Sequence, residues 1–97
     1  MLRSALLSLA FVSAPAWAQA HFVAQTETPP AQQRILARDN IWRCTDALCT
    51  SARTATRPAI VCSTLVRAVG ALRSFSVAGE PFSAEQLAAC NARSRRD

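Results

Sequence analysis

The chain has 97 residues and a formal net charge of +5, a length that suits one domain rather than several. Its eleven basic residues are all arginine, and it contains one histidine, six acidic residues and no tyrosine. General acid–base and nucleophilic catalysis draw on histidine, lysine, tyrosine or paired carboxylates. Because the acids are scattered singly, this composition argues against an enzyme.

Residues 1–18 have the pattern of a secretory signal peptide. Arg3 supplies a positive charge, residues 5–14 form an uncharged apolar run, and Pro15 and Ala18 follow in the arrangement of a cleavage site. The apolar run is about half the ~20 residues that span a bilayer, so we expect no membrane span after processing. No cysteine follows the cleavage point to carry a lipid. The pattern predicts a periplasmic or secreted protein.

Cleavage after Ala18 is preferred to cleavage after Ala20, and it would make His21 the third residue. A terminal amine, the intervening amides and an imidazole at position three can surround Cu(II) or Ni(II) in a square plane. His21 is therefore an alternative metal ligand, set against the simpler interpretation of a histidine near a free terminus. No other metal ligand and no cofactor is predicted.

The rest of the chain divides into three predicted parts. Residues 19–33 are polar and contain Pro29 and Pro30, which predicts a flexible lead-in with at most a short strand at 21–24. A disulfide-stabilised domain is predicted over 34–92, followed by a basic tail over 93–97. Its fold class is α+β, an antiparallel β-hairpin or meander followed by a helix, a strand and a C-terminal helix.

Two short apolar runs flank Asp39 and Asn40, which predicts a β-hairpin with these residues in its turn. Pairing Arg38 with Ile41 assigns alternate side chains to two faces. The core face carries Ile35, Ala37, Trp42 and Cys44. The opposite face carries Arg34, Leu36, Arg38, Ile41 and Arg43, and its arginines Arg34, Arg38 and Arg43 are the candidate partner-binding residues.

The later elements follow from local signals. Pro58 suits a first helical turn, and Val61, Leu65 and Val69 repeat every four residues on the same side as Cys62, so we predict an amphipathic helix that ends near Gly70. A strand at 73–77 comes next. The last helix starts at a capping box over 83–86, with Cys90 on its buried face.

Four cysteines allow three pairings. The hairpin geometry and the helix faces favour Cys44–Cys49 with Cys62–Cys90, although chain entropy slightly favours the pairing of Cys44 with Cys62 and Cys49 with Cys90. A four-cysteine zinc site is disfavoured because only one pair is close in sequence. Thiol–disulfide exchange at Cys44 and Cys49 is an alternative function, but the Cys-X-X-Cys spacing of such catalysts is missing.

Removing Arg3 with the signal peptide leaves ten arginines against six acids, a net charge of +4. Such a protein is attracted to anionic lipid headgroups, cell-wall carboxylates or acidic proteins. No aromatic residues alternate with the arginines, so nucleic acid is not an expected partner. The preferred interpretation is a non-enzymatic periplasmic or secreted binding or structural module with a basic face.

Four motifs occur together in the chain: the Trp42-Arg43-Cys44-x4-Cys49 stretch, the helix segment ending at Cys62, the strand over 72–77 and the Leu87-Ala88-Ala89-Cys90-Asn91 ending. With them the chain resembles a family of small exported four-cysteine proteins of uncharacterised function from alphaproteobacteria. The resemblance covers roughly 34–91. It implies a compact secreted domain and brings no catalytic or binding residues.

Overall fold

The computed structural model describes residues 20–94, so the predicted signal peptide at 1–18 and residues 95–97 of the basic tail lie outside the described residues. The fold is α+β, as predicted: six strands form one antiparallel sheet in the order β2-β3-β4-β1-β5-β6, and two helices pack against it. The elements are β1 Phe22–Thr26, β2 Arg34–Ala37, β3 Asn40–Thr45, β4 Leu48–Ser51, α1 Pro58–Val69, β5 Leu72–Val77, β6 Glu80–Pro81 and α2 Ala84–Asn91.

A single core lies between the sheet and the helices. Phe22, Trp42 and Phe75 lie with their ring centroids 6.0–6.2 Å from one another, and each is at most 1% exposed. Val61 and Leu65 of α1 belong to the same buried cluster. Trp42 is therefore a core residue, as predicted from its place on the core face of the hairpin. Within the part of the chain that the structure describes, the other face of the sheet carries no helix.

The central strand of the sheet comes from the segment that the sequence predicts to be a flexible lead-in. Phe22, Ala24 and Thr26 are buried and Gln25 is exposed, the alternation of a strand with one face in the core. β1 pairs with β4 on one side and β5 on the other. The short strand that the sequence allows at 21–24 is thus present as β1 and continues to Thr26, because pairing on both sides outweighs the polar composition.

The turn of the first hairpin is one residue earlier than predicted. Leu36 pairs with Ile41, and the turn consists of Arg38 and Asp39, with Arg38 at φ 60°. Moving the turn by one residue changes each pairing by two positions, so the side chains that remain in β2 and β3 keep their predicted faces, while Arg38 leaves its predicted face for the turn. The predicted core face is confirmed, while the predicted register is wrong.

Asn40 explains the shifted turn. Its side chain is 2% exposed, and its amide nitrogen donates to the Ser51 hydroxyl at 3.0 Å and to the Ala52 carbonyl at 3.4 Å. Its amide oxygen accepts from the Thr54 hydroxyl at 3.4 Å. These bonds require Asn40 to point into the fold at the start of β3, and a turn position would leave its partners unsatisfied.

The second hairpin is tighter than the four-residue loop expected between the cysteines. Thr45 pairs with Leu48, which leaves Asp46 and Ala47 as a two-residue turn with Asp46 at φ 54°. Cys44 is therefore directly opposite Cys49. The β5–β6 turn is formed likewise by Ala78 and Gly79, both at positive φ.

Local signals determine the helix ends. Pro58 opens α1, and Gly70, at φ 88°, follows its last residue. At the start of α2 the Ser83 hydroxyl accepts from the Gln86 amide at 3.1 Å, and the Gln86 side chain accepts from the Ser83 amide at 2.9 Å. The predicted capping box is confirmed. Within residues 20–94, neither helix has the length and apolar character needed to cross a membrane.

Two disulfides join neighbouring elements. Cys44–Cys49 links β3 to β4 and is called here the hairpin bridge, and Cys62–Cys90 links α1 to α2 and is called the helix bridge. All four cysteines are bonded, in the pairing that the hairpin and helix faces favoured.

Candidate functional site

The exposed side of the first hairpin carries two arginines and two aliphatic residues, which we call the hairpin face: Arg34, Leu36, Ile41 and Arg43. Arg34 is directly opposite Arg43, and Leu36 is opposite Ile41. Leu36 is 70% and Ile41 48% exposed, and these are the large hydrophobic side chains that the described part of the chain leaves in solvent. The hairpin face therefore combines positive charge with accessible apolar surface.

Arg34 and Arg43 form the kind of cross-strand pair in which side chains lie closest. The amide of Cys44 donates to the carbonyl of Gln33 at 2.7 Å, a bond just outside the pair, so Arg34 and Arg43 form a non-hydrogen-bonded pair. Two like charges placed directly opposite each other destabilise a sheet. This position is therefore not optimised for the stability of the fold.

The structure does not place Arg38 on the hairpin face with Arg34 and Arg43. It lies in the turn, and its side chain lines a groove next to α1. The three candidate arginines are thus divided between two surfaces, because the earlier turn removes Arg38 from β2.

The second surface, which we call the helix groove, lies between the exposed faces of α1 and α2 and has a volume of about 760 Å³. Four arginines line it: Arg38, Arg57, Arg67 and Arg93. Three of these arginines, Arg57, Arg67 and Arg93, are not among the partner-binding residues predicted from the sequence. Arg57, Ile60 and Arg67 recur on one side of α1, so helical periodicity was the available signal for two of the three.

The hairpin bridge is poorly accessible for redox chemistry. Cys44 is 4% and Cys49 0% exposed. Exchange requires an external thiolate to reach one of the two sulfur atoms. Their burial therefore favours a structural role for this bridge, although Arg43 lies next to it in the chain.

His21 lies just before the central strand. Its carbonyl accepts from the Ala78 amide at 2.7 Å, and its half-buried ring lies edge-on to Phe22 with 4.6 Å between centroids. Residue 19, which would supply the terminal amine of the predicted Cu(II) site, is outside the described residues. Among residues 20–94, no three histidine, cysteine or acidic side chains are grouped as a metal site.

Fold and surfaces together define a small disulfide-stapled α+β module with two separate arginine-lined surfaces. The chain belongs to a family of unknown function, DUF8200, whose model matches residues 5–92. Comparisons with curated proteins and with solved structures gave no significant match.

Proposed function

We propose that this protein is an exported, non-enzymatic binding module that docks onto an anionic component of the cell envelope through the hairpin face. Support for export comes from the signal-peptide pattern over 1–18, from the resemblance to exported four-cysteine proteins of alphaproteobacteria, and from the two disulfides, which persist in oxidising compartments.

The observation that carries the proposal is the opposed pair of Arg34 and Arg43 next to exposed Leu36 and Ile41. A pair of like charges weakens the free protein, and an anionic partner would relieve the repulsion between them. Aliphatic side chains beside the charges add apolar area that a partner buries. Cross-strand packing accounts for Leu36 opposite Ile41, but fold stability provides no reason for Arg34 opposite Arg43.

The test is a comparison of Arg43→Glu with the control Arg73→Glu, which changes an exposed strand arginine by the same charge on β5. Each oxidised protein is immobilised and used to capture cross-linked components from an oxidised periplasmic extract and purified cell walls. We expect the wild type and the control to retain a component that Arg43→Glu loses. Equal retention by all three proteins, or equal loss in both variants, would contradict the proposal.

Stability provides an internal control. Arg43→Glu converts a like-charged pair into an oppositely charged one, so its melting temperature should stay the same or rise by a few degrees, from about 0.2–1 kcal/mol of cross-strand attraction. Loss of capture without loss of stability then assigns the effect to the surface.

A further inference from the structure

The helix groove concentrates positive charge on the side of the sheet opposite to the hairpin face. Arg57 is the N-cap residue of α1, Arg67 lies in the last turn of α1, Arg93 follows α2, and Arg38 lines the groove from the hairpin turn. None of the described residues that line the groove is acidic. Four guanidinium groups therefore line one surface, and the carboxylate of Asp39, next to Arg38 in the chain, lies outside that lining.

Helix stability accounts for only part of this arrangement. Arg67 is favourable at the C-terminal end of α1, but Arg57 places a cation at the N-terminal end, where the helix dipole disfavours it. The Thr56 hydroxyl donates to the Asp39 carboxylate at 2.9 Å, which holds the hairpin turn beside this end of α1. Arg38 precedes Asp39 and Arg57 follows Thr56, so this hydrogen bond holds the two arginines at the same end of the groove.

The floor of the groove is mixed in character. Phe82 and Ile60 are half-buried, and the Phe82 ring lies 4.7 Å from that of the core residue Phe75. The hydroxyls of Ser63 and Thr64 donate to carbonyls of the preceding turn, so their oxygens remain available as acceptors. The groove thus offers an apolar patch between charged ends, together with a few polar groups.

Distances along α1 distinguish among the possible occupants. Arg57 and Arg67 are ten residues apart, a separation of about 15 Å along the helix axis. A small anion reaches only one end of such a groove, and an acyl chain lying in it would stay in contact with water. A second copy of this chain has the same sign of net charge, which opposes association.

We infer that the helix groove binds an acidic segment of another polypeptide, one that presents carboxylates about 15 Å apart with an apolar side chain between them. Carboxylates at the two ends pair with Arg57 and Arg67, and the apolar side chain covers Phe82 and Ile60. This site goes beyond the proposed function, because the hairpin face is on the other side of the sheet and shares none of these residues.

The experiment titrates the oxidised, nitrogen-15-labelled protein with a synthetic helical peptide whose terminal glutamates match the spacing of Arg57 and Arg67, with leucines between them. A second peptide has glutamine in place of glutamate. Chemical-shift changes at backbone amides give both the affinity and the location. The test variant is Arg57→Gln with Arg67→Gln, and the control is Arg53→Gln with Arg73→Gln, an equal loss of charge at exposed positions outside the groove.

We expect the acidic peptide to shift amides of α1 and α2 and the glutamine peptide to bind more weakly. The test variant should lose roughly twofold to thirtyfold in affinity relative to the control, the range for two exposed ion pairs. Shifts confined to the hairpin face, or equal losses in both variants, would overturn the inference. So would binding to phosphatidylglycerol vesicles that depends on Arg57 and Arg67 when the peptide does not bind.

Arg43→Glu separates this inference from the proposed function. Peptide binding in the groove should be unchanged in that variant, whereas envelope capture is lost. Failure of one binding activity therefore leaves the other measurable, and loss of peptide binding in Arg43→Glu would contradict the assignment to the groove.

Discussion

Truncation of Phe22 tests whether the N-terminal segment is the centre of the domain. Phe22 is 1% exposed, belongs to β1, and packs with Trp42 and Phe75 at 6.2 and 6.0 Å between ring centroids. A flexible lead-in, which the composition of 19–33 suggests, would tolerate Phe22→Ala. The fold described above would not, because the variant leaves a cavity between the sheet and the helices.

The expected cost is large for a domain of this size. Replacing a buried phenylalanine by alanine destabilises a protein by about 3–5 kcal/mol. At about 4–8 °C per kcal/mol for a small domain, the melting temperature of Phe22→Ala should fall by roughly 12–40 °C. At about 0.05–0.15 kcal/mol per residue, the total stability of a domain of this length is about 4–12 kcal/mol. The low end of this range is no larger than the cost of the substitution, so partial unfolding at room temperature is an expected extreme.

Thermal unfolding of the oxidised protein, followed by near- and far-ultraviolet circular dichroism, measures this effect. Val23→Ala is the matched control, since Val23 is the next residue of the same strand and its half-buried side chain lies on the face without helices. It should cost about 1 kcal/mol, from two methylene equivalents at half burial. An equal fall in melting temperature for the two variants would refute the placement of β1 at the centre of the core.

Two further predictions concern stability. The helix bridge closes a loop with a sequence separation of 28 residues and the hairpin bridge one of 5, for which the chain entropy of the unfolded state gives about 3.6 and 2.2 kcal/mol of stabilisation. Replacing both cysteines of the helix bridge by alanine should therefore lower the melting temperature more than the same change at the hairpin bridge. The reverse order would show that unfolded-chain entropy does not govern these bridges. Asn40→Ala should cost about 1–3 kcal/mol in denaturant unfolding because it leaves buried partners unsatisfied, and Asp39→Ala, at an exposed turn position, should cost less. A larger loss of unfolding free energy for Asp39→Ala than for Asn40→Ala would contradict the observed turn and favour the turn at Asp39 and Asn40 predicted from the sequence.

Elements defined by short-range signals could be predicted from the sequence. The capping box at Ser83, Pro58 at the start of α1 and Gly70 after its end each act within a few residues, and the structure has all three as expected. The disulfide pairing followed from the same source, because helical and strand periodicity put each cysteine on a face. Local rules suffice where one helical turn or one hairpin determines the geometry.

A short strand at 21–24 was all that could be predicted for this segment, and its central place in the sheet could not be, because that place depends on distant partners. β1 has only five residues and is followed by Pro29 and Pro30, and its neighbours β4 and β5 lie far along the chain. A strand of mixed polarity forms there because both of its edges are hydrogen-bonded and one face is buried. Nothing within 19–33 reports those pairings.

The two candidate surfaces also differ in whether local sequence signals or distant contacts determine them. Alternation along β2 and β3 predicted the exposed side chains of the hairpin face correctly, even with the turn displaced. The helix groove required knowledge of tertiary structure, since the Thr56–Asp39 bond and the packing of α2 on α1 bring Arg38 and Arg93 to the side of Arg57 and Arg67. Helical periodicity by itself places only Arg57 and Arg67 on the same side of α1.

The proposed function depends most directly on the protein reaching an oxidising compartment with both bridges formed. Mass spectrometry of the protein isolated from the periplasm or medium, digested without reduction, measures its N-terminus and its disulfides together. We expect a chain that begins at Gln19, with one peptide pair joined through Cys44–Cys49 and another through Cys62–Cys90. A chain that retains Met1, or one whose cysteines are free thiols, would contradict this expectation.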